Sequence, residues 1–163
     1  MTGFEIGRDL VLLALGVIGT GLSIYNLLES RGRGIRRVRV FAETAMHTYD
    51  NGEIGPPFLK VVAANSGHRD VTISNIGLEI PGKRVIATLN PDAFSGVPDT
   101  RTPTKLADGD LAHRFYEYTA ISQACRDAGL QGKVSIHPFV VDTAGMRHYG
   151  KKLKWDASAN WAS

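Results

Sequence analysis

An uncharged, mostly apolar run of 19 residues, from Leu10 to Leu28, constrains this chain more than any other feature. Charged residues bound it, Arg8-Asp9 before the run and Glu29 after it. As an α-helix the run extends about 28 Å, which matches the hydrocarbon core of a bilayer. The run therefore predicts a single transmembrane helix over residues 10–28.

Positive charge is concentrated directly after this run. Five arginines lie within nine residues, with no acidic residue among them: Arg31, Arg33, Arg36, Arg37 and Arg39. Flanks rich in Lys and Arg stay on the cytoplasmic side of a membrane. We therefore predict an extracytoplasmic N-terminus (1–9), an Arg-rich juxtamembrane segment (29–39) and a cytoplasmic domain below the plasma (inner) membrane. The same arginines are predicted to contact the anionic headgroups of the lipid bilayer.

Three alternatives compete for the apolar run. A cleaved signal peptide would have a positively charged n-region before the run and an A-x-A site after it, and both are missing, since Glu5 and Asp9 accompany Arg8. Gly19-Thr20-Gly21 resembles the start of a dinucleotide-binding fold, but Ile24 stands where that motif has its third glycine. A buried helix of a soluble domain is the third alternative. The length, the flanking charges and the missing glycine together favour the transmembrane helix.

Small side chains follow one side of the predicted helix, at Gly16, Gly19, Thr20 and Ser23. Surfaces of this kind allow two membrane helices to approach closely. We therefore hypothesise that the chain forms a homo-oligomer through its transmembrane helix.

The basic character of the chain comes from the arginine run alone. The net charge is +3, but after Arg39 there are 13 Lys plus Arg and 13 Asp plus Glu. A nucleic-acid-binding face requires a basic patch or stripe, so we predict no nucleic-acid partner for the domain. The single cysteine, Cys125, excludes an intramolecular disulfide bond and a cysteine-based zinc site.

After the arginine run the apolar residues alternate with period two, which predicts strands. We expect them at 37–44, 58–64, 71–80 and 84–89, in a short segment after 110, and at 132–141 and 147–155. The alternation slips by one near Asn75, which indicates a β-bulge. Residues 116–128 are predicted as a helix that ends at Gly129, and residues 157–163 as a flexible tail.

Short strands separated by turns at this spacing are typical of a β-sandwich. The predicted strand at 58–64 ends in Asn65-Ser66-Gly67, so that 61–67 match a strand followed by Asn-x-Gly, and a Leu-x-x-Gly-Asp type turn follows at 106–110. With these turn motifs, residues 36–156 resemble the bacterial immunoglobulin-like or fibronectin-like sandwich domains, and we predict the β-sandwich domain at 40–156. The resemblance implies an Ig-like antiparallel β-sandwich, with the helix as a crossover between its sheets. It also implies a spacer or binding role rather than catalysis.

Catalytic and metal-binding motifs are incomplete in this sequence. Residues 140–145 contain the Asp-x-x-Gly motif of small GTPases, but the phosphate loop and the guanine-reading motif are missing, so we predict a hairpin there. Cys125 is predicted to be a buried structural residue. His137 and His148 are candidate cross-strand neighbours, but two ligands do not make a metal site. We predict no catalytic residue, metal or cofactor, and a protein that is not an enzyme.

The sequence therefore favours a membrane-anchored binding or adaptor module with a protein partner in the cytoplasm or the membrane. The Pro-rich loop at 90–104 is the largest irregular surface, with Phe94 as a candidate apolar anchor and Arg101 as a candidate polar contact. A structural or regulatory subunit that acts through its transmembrane helix is the alternative, and an enzyme of unknown class is the third.

Overall fold

The computed structural model describes residues 3–33, 36–86, 94, 96–159 and 161 of the chain. These form two compact units, Met1–Ile35 and Arg36–Ser163.

The first unit is one long helix, α1, from Gly3 to Arg33. Its segment Leu13–Ser30 has a mean hydropathy of 1.2, which makes it long and apolar enough to cross a membrane. The hydroxyl groups of Thr20 and Ser23 donate hydrogen bonds to the carbonyl oxygens of residues 16 and 19, at 2.8 and 2.9 Å. Because these polar groups are satisfied within the helix, they cost little in an apolar environment. The helical prediction is confirmed, and the helix extends beyond residues 10–28 at both ends.

The second unit is mainly β-structure. Within the described residues it contains β1 (Val38–Thr48), β2 (Ile54–Asn65), β3 (Val71–Ile80), β4 (Arg84–Ile86), β5 (Thr104–Leu106), β6 (Leu111–Glu117), α2 (Tyr118–Asp127), β7 (Lys133–Asp142), β8 (Arg147–Tyr149) and β9 (Leu153–Asp156). All the strand pairs are antiparallel. The predicted antiparallel β domain with one further helix is confirmed.

The strands form two sheets that share a core. One sheet has three strands in the order β1-β2-β6, and the other has six, with β4-β3-β7-β8 as its path, β5 paired to β3 and β9 paired to β7. Alternate side chains of both sheets enter one buried cluster, such as Val61 from β2, Leu78 from β3 and Val140 from β7. This alternation is the reason that the period-two pattern predicted the strands.

Helix α2 packs on the same core through an apolar stripe. Tyr118, Ile121, Ser122 and Cys125 recur at the spacing of one helical face, and all four are buried. The helix ends where Gly129 adopts a positive φ of 77° and its amide donates to the carbonyl oxygen of residue 126. Residues 116 and 117, placed in the helix by sequence, belong to β6 instead, and Ala128 caps the helix.

The β-bulge near Asn75 is confirmed. Ile73 pairs with Asp142 and Asn75 pairs with Val141, so Ser74 is the extra residue of β3. The Ser74 hydroxyl donates a hydrogen bond to the carbonyl oxygen of Val141 at 3.0 Å. A local polar contact therefore stabilises the irregular point of the strand.

Strand β2 begins earlier than predicted. Residues 55–57, Gly-Pro-Pro, precede the predicted strand at 58–64, but they lie in β2, and Pro57 pairs with Met46 of β1. Proline has no N–H to donate and is tolerated in strands that lack a partner on one side. Since β6 pairs with β2 only from Phe58 onward, the prolines occupy such a stretch.

The predicted last strand, 147–155, is divided into β8 and β9. Both pair with β7, and Gly150 lies between them. A Cβ atom on Gly150 would lie 2.7 Å from the carbonyl oxygen of Val40, so a side chain there would clash with β1. In the predicted strand 84–89, residues 84–86 form β4 and residues 87–89 lie outside the described part of the chain.

The packed domain extends beyond residue 156, into the segment predicted as a flexible tail. Ala157 is fully buried, and its amide donates to the carbonyl oxygen of Gly132. The ring of Trp161 lies edge-on to Tyr118, with centroids 4.9 Å apart. Positions 160, 162 and 163 lie outside the described residues.

Candidate functional site

Five side chains converge on the outer face of the six-stranded sheet. Strand register places Glu79 opposite His137, and Phe139 between Gly77 and Tyr149. Side chains alternate along a strand, so these residues face away from the core side chains Leu78 and Val140. We call this group the Glu79 cluster: Glu79, His137, Phe139, Arg147 and Tyr149.

The Glu79 carboxylate holds two partners from β8. Its Oε2 atom accepts a hydrogen bond from Nη1 of Arg147 at 3.0 Å and another from the hydroxyl of Tyr149 at 3.2 Å. Charge-assisted hydrogen bonds of this kind are stronger than neutral ones. The carboxylate therefore fixes the position of a guanidinium group and a phenol that remain nearly half exposed, 46% for the Arg147 side chain and 44% for Tyr149.

Phe139 forms the floor of the cluster. Its ring is almost fully buried, and the Arg147 guanidinium carbon lies 5.0 Å from the ring centroid, within cation–π distance. The ring fits because residue 77 is glycine. A Cβ atom at Gly77 would lie 2.7 Å from the ring.

His137 supports the cluster from the other side. Its ring stacks on Tyr149 with centroids 4.6 Å apart and an interplanar angle of 28°. Its Nε2–H donates to the carbonyl oxygen of Gly150 at 2.9 Å. Tyr149 is therefore held by the stack and by Glu79, and Val85 of β4 adds an exposed apolar side chain opposite Glu79. Ordered Tyr and Arg side chains are enriched in protein–protein interfaces.

The arginines predicted at the membrane interface divide into two groups. Arg36, Arg37 and Arg39 are described, and all three side chains are exposed. The side chains of Arg31 and Arg33 lie outside the described part of the structure. The exposed arginines leave their charge available to a lipid headgroup or a protein partner.

The predicted helix contact is an open surface on α1. A Cβ atom at Gly16 or Gly19 would meet no atom within 4 Å, and Thr20 and Ser23 are exposed. Gly16 and Thr20 line one shallow groove along the helix. Self-association at this surface stays a prediction.

The two residues predicted to contact a partner in the 90–104 loop differ in exposure. Arg101 is exposed, but only 9% of Phe94 is accessible. The Phe94 ring stacks on Phe115 at 4.4 Å and meets Phe58 edge-on at 5.1 Å. Phe94 therefore closes a second apolar cluster on the three-stranded sheet and is not an exposed anchor. Residues 90–93 and 95 lie outside the described residues.

The expectation that His137 and His148 are cross-strand neighbours is wrong. His148 pairs with Val140, one of the core-facing residues, whereas His137 shares the outer face with Tyr149. The two imidazoles therefore lie on opposite faces of the sheet. No group of three His, Cys, Asp or Glu side chains within the described residues is placed to hold a metal ion.

The predicted hairpin is confirmed, since β7 and β8 pair on either side of the turn. The side chain of His148, on β8, contacts the carboxylate of Asp142. Its Nε2 atom lies 3.1 Å from Oδ2 of Asp142, and the amides of Ala144 and Met146 donate to Oδ1 at 2.9 Å each. Burial alone would raise the pKa of Asp142, but these hydrogen bonds outweigh it and lower the pKa below its usual value. The Asp-x-x-Gly sequence is thus a carboxylate-capped turn.

Cys125 is a buried residue of the core. It is fully buried in α2, and this burial raises the pKa of the thiol, an effect that the nearby charge of Arg126 only partly opposes. A raised pKa keeps the thiol protonated and poorly nucleophilic at neutral pH.

Sequence reasoning missed the Glu79 cluster because its members come from three strands. Alternation along β3 and β7 was sufficient to place Glu79 and His137 on an outer face. The contact of Glu79 with Arg147 and Tyr149 depends on β7 lying between β3 and β8, and no local sequence signal gives that order.

The fold defines the class of protein. It is an antiparallel β domain with a second helix, preceded by an apolar helix that is long enough to span a membrane. Comparison with protein-family models, with curated proteins and with solved structures gave no match.

Proposed function

We propose that this chain is a single-pass, membrane-anchored, non-enzymatic binding or adaptor module. Helix α1 crosses the plasma (inner) membrane, and the second unit lies in the cytoplasm as an Ig-like β-sandwich in which α2 is the crossover helix. The domain recruits a protein partner to the membrane.

The Glu79 cluster is the observation that carries the binding role. Arg147 and Tyr149 are half exposed but already held by Glu79, His137 and Phe139. A partner that contacts them loses little side-chain entropy, which otherwise opposes association. Surfaces that combine a fixed Arg and Tyr with apolar neighbours form the energetic centres of many interfaces.

The anchor is supported by the exposed apolar surface of α1. Its large side chains, among them Leu13, Val17 and Leu28, are each more than half exposed within their unit. A helix that is apolar on all sides requires a nonpolar environment. The basic segment after α1 favours the orientation with the domain in the cytoplasm.

The test uses the full-length chain in native membranes with a photo-crosslinking residue at Tyr149, and a matched probe at exposed Lys154 of β9. We expect a defined crosslinked partner at position 149 and none at position 154. Arg147→Glu should abolish the product, and Lys154→Glu should leave it intact. Equal crosslinking at both positions, or a product insensitive to Arg147→Glu, would overturn the proposed binding surface.

The second candidate function is a structural or regulatory subunit that acts through α1. The observation that favours it is the open groove at Gly16 and Thr20. Because a Cβ atom at Gly16 would meet no atom within 4 Å, Gly16→Leu would fill the groove and should block a close contact with another helix. Loss of complex formation in Gly16→Leu but not in Arg147→Glu would favour this candidate over the first.

A further inference from the structure

On the outer face of the three-stranded sheet, two neighbouring rows of paired residues at one end of the sheet include exposed apolar side chains. Strand register places Arg39, Ala64 and Leu111 in one row, and Phe41, Val62 and His113 in the next. These residues alternate with core residues such as Val40, Val61 and Ala112 and therefore share the opposite face. We call Arg39, Phe41, Ala64 and Leu111 the β1–β6 patch.

Two large apolar side chains of this patch are accessible. Leu111 is 58% exposed and Phe41 is 42% exposed. Leu111 lies on β6 and Phe41 on β1, with Ala64 and Val62 of β2 between them on the same face, so the two side chains flank one strand of a common surface. Apolar side chains grouped on a face beside basic residues mark a contact surface more often than apolar residues scattered singly.

The charge beside the patch is positive. Arg36, Arg37 and Arg39 are exposed at its edge. The nearest acid on the same face, Glu43, is paired with Lys60 at 3.1 Å. Basic side chains at the rim of an exposed apolar surface suit an anionic lipid surface, where the apolar groups enter the interface and the cations meet phosphates.

The acids of the turn before Leu111 are already engaged. Asp108 Oδ2 lies 2.8 Å from Nδ1 of His68, and Asp110 Oδ2 accepts the amide of Ala107 at 2.8 Å. Both carboxylates thus have local hydrogen-bond partners, and Arg36, Arg37 and Arg39 outnumber them at this end of the sheet.

The length of the chain keeps the patch close to a membrane. Strand β1 begins at Val38, five residues after Arg33, the last residue of α1. Five residues reach at most about 18 Å when fully extended. If α1 crosses the membrane with residues 10–28, the helical residues 29–33 add about 7 Å, and the start of β1 is tethered within about 25 Å of the bilayer surface. Docking of the patch therefore loses little translational freedom.

We propose that the β1–β6 patch docks on the anionic inner surface of the membrane that α1 crosses. Leu111 and Phe41 enter the interface, and Arg39 with Arg36 and Arg37 contacts the lipid phosphates. This inference rests on the proposed anchoring by α1. It leaves the Glu79 cluster, which lies on the other sheet, available to a partner.

The test places a fluorescent probe on Leu111→Cys in the full-length chain, reconstituted in phosphatidylcholine vesicles with or without phosphatidylserine. The matched control is Ile54→Cys. Ile54 is 66% exposed and lies at the start of β2, in the part of that strand that β6 does not pair with. The native cysteine, Cys125, is fully buried. The wild-type chain, treated with the same probe, measures any background labelling of Cys125. In phosphatidylserine vesicles we expect a blue-shifted emission and strong quenching by nitroxide lipids for the label at 111 only.

The arginines are tested in the same assay. Replacing Arg36, Arg37 and Arg39 with Gln should reduce quenching at position 111 to its level in pure phosphatidylcholine. Replacing three exposed lysines elsewhere, Lys151, Lys152 and Lys154, should not.

The outcomes separate docking from anchoring. A chain that stays in the vesicles after an alkaline wash, but whose label at 111 behaves like the label at 54, overturns the docking and leaves the anchor intact. Equal quenching in both lipid mixtures overturns the preference for anionic lipid. A chain that the alkaline wash removes overturns the anchor and the docking together.

Discussion

The side-chain amide of Asn65 donates a hydrogen bond to the backbone carbonyl oxygen of Leu106 at 3.1 Å. Asn65 is almost fully buried, and its Oδ1 atom accepts the amide of Gly67 at 3.0 Å. The backbone carbonyl of Asn65 also accepts the amide of Gly109. The turn that ends β2 and the turn that follows β5 are therefore one hydrogen-bonded unit. These are the two turn motifs on which the predicted resemblance to immunoglobulin-like domains rests.

Asn65→Ala should destabilise the β domain by about 2–3 kcal/mol, because it leaves buried backbone groups at Leu106 and Gly67, and a part-buried carbonyl at Arg69, without their partner. Denaturation of the full-length chain in detergent, followed by tryptophan fluorescence, measures the loss. Asn51→Ala is the control, since Asn51 accepts only the amide of Glu53 in an exposed turn. A stability loss no larger than that of the control would contradict the role of Asn65.

The pair of Asp142 and His148 predicts a loss of stability in acid. The folded-state pKa of Asp142 is lowered, so the carboxylate contributes stability at any pH above its unfolded pKa, about 4. That contribution is lost as the pH falls through the lower, folded-state pKa.

Asp142→Asn isolates this effect, because asparagine can still accept the amides of Ala144 and Met146. We expect the variant to be about 1–2 kcal/mol less stable than the wild type at neutral pH. The difference should shrink as the pH falls below about 4, as measured by denaturant titrations. Parallel loss of stability in both proteins would show that Asp142 is not the group responsible.

Local patterns were sufficient to predict the features that depend on neighbours in sequence. The uncharged run gave α1, and the change of phase at Asn75 gave the bulge that Ser74 occupies. The alternation of apolar residues gave most strands, because one face of each sheet is buried in a shared core.

Features that depend on distant contacts were not predictable in the same way. Phe94 stands in a polar, Pro-rich segment, and only its stacking on Phe115, 21 positions later, explains its burial. Trp161 follows the last strand and packs on Tyr118 of α2. The membership of Arg147 in the Glu79 cluster requires the order of three strands.

Cys125 should react with a thiol reagent only after the domain unfolds. Burial blocks access and raises the pKa of the thiol, so the fraction of reactive thiolate at neutral pH is small. Reaction with an aromatic disulfide reagent at pH 8, with and without denaturant, measures this directly. Stoichiometric reaction of the native chain on mixing would show that α2 opens readily from the core.

Gly77→Ala should destabilise the domain by about 1–3 kcal/mol, because the new Cβ would lie 2.7 Å from the Phe139 ring. The ring would have to move, and with it Arg147, which lies over it. Gly21→Ala is the control, since its Cβ would meet no atom within 4 Å. Combining Gly77→Ala with Phe139→Leu should recover part of the loss, and a double-mutant cycle measures the coupling. If the two changes add without coupling, Phe139 is not the residue that requires glycine at position 77.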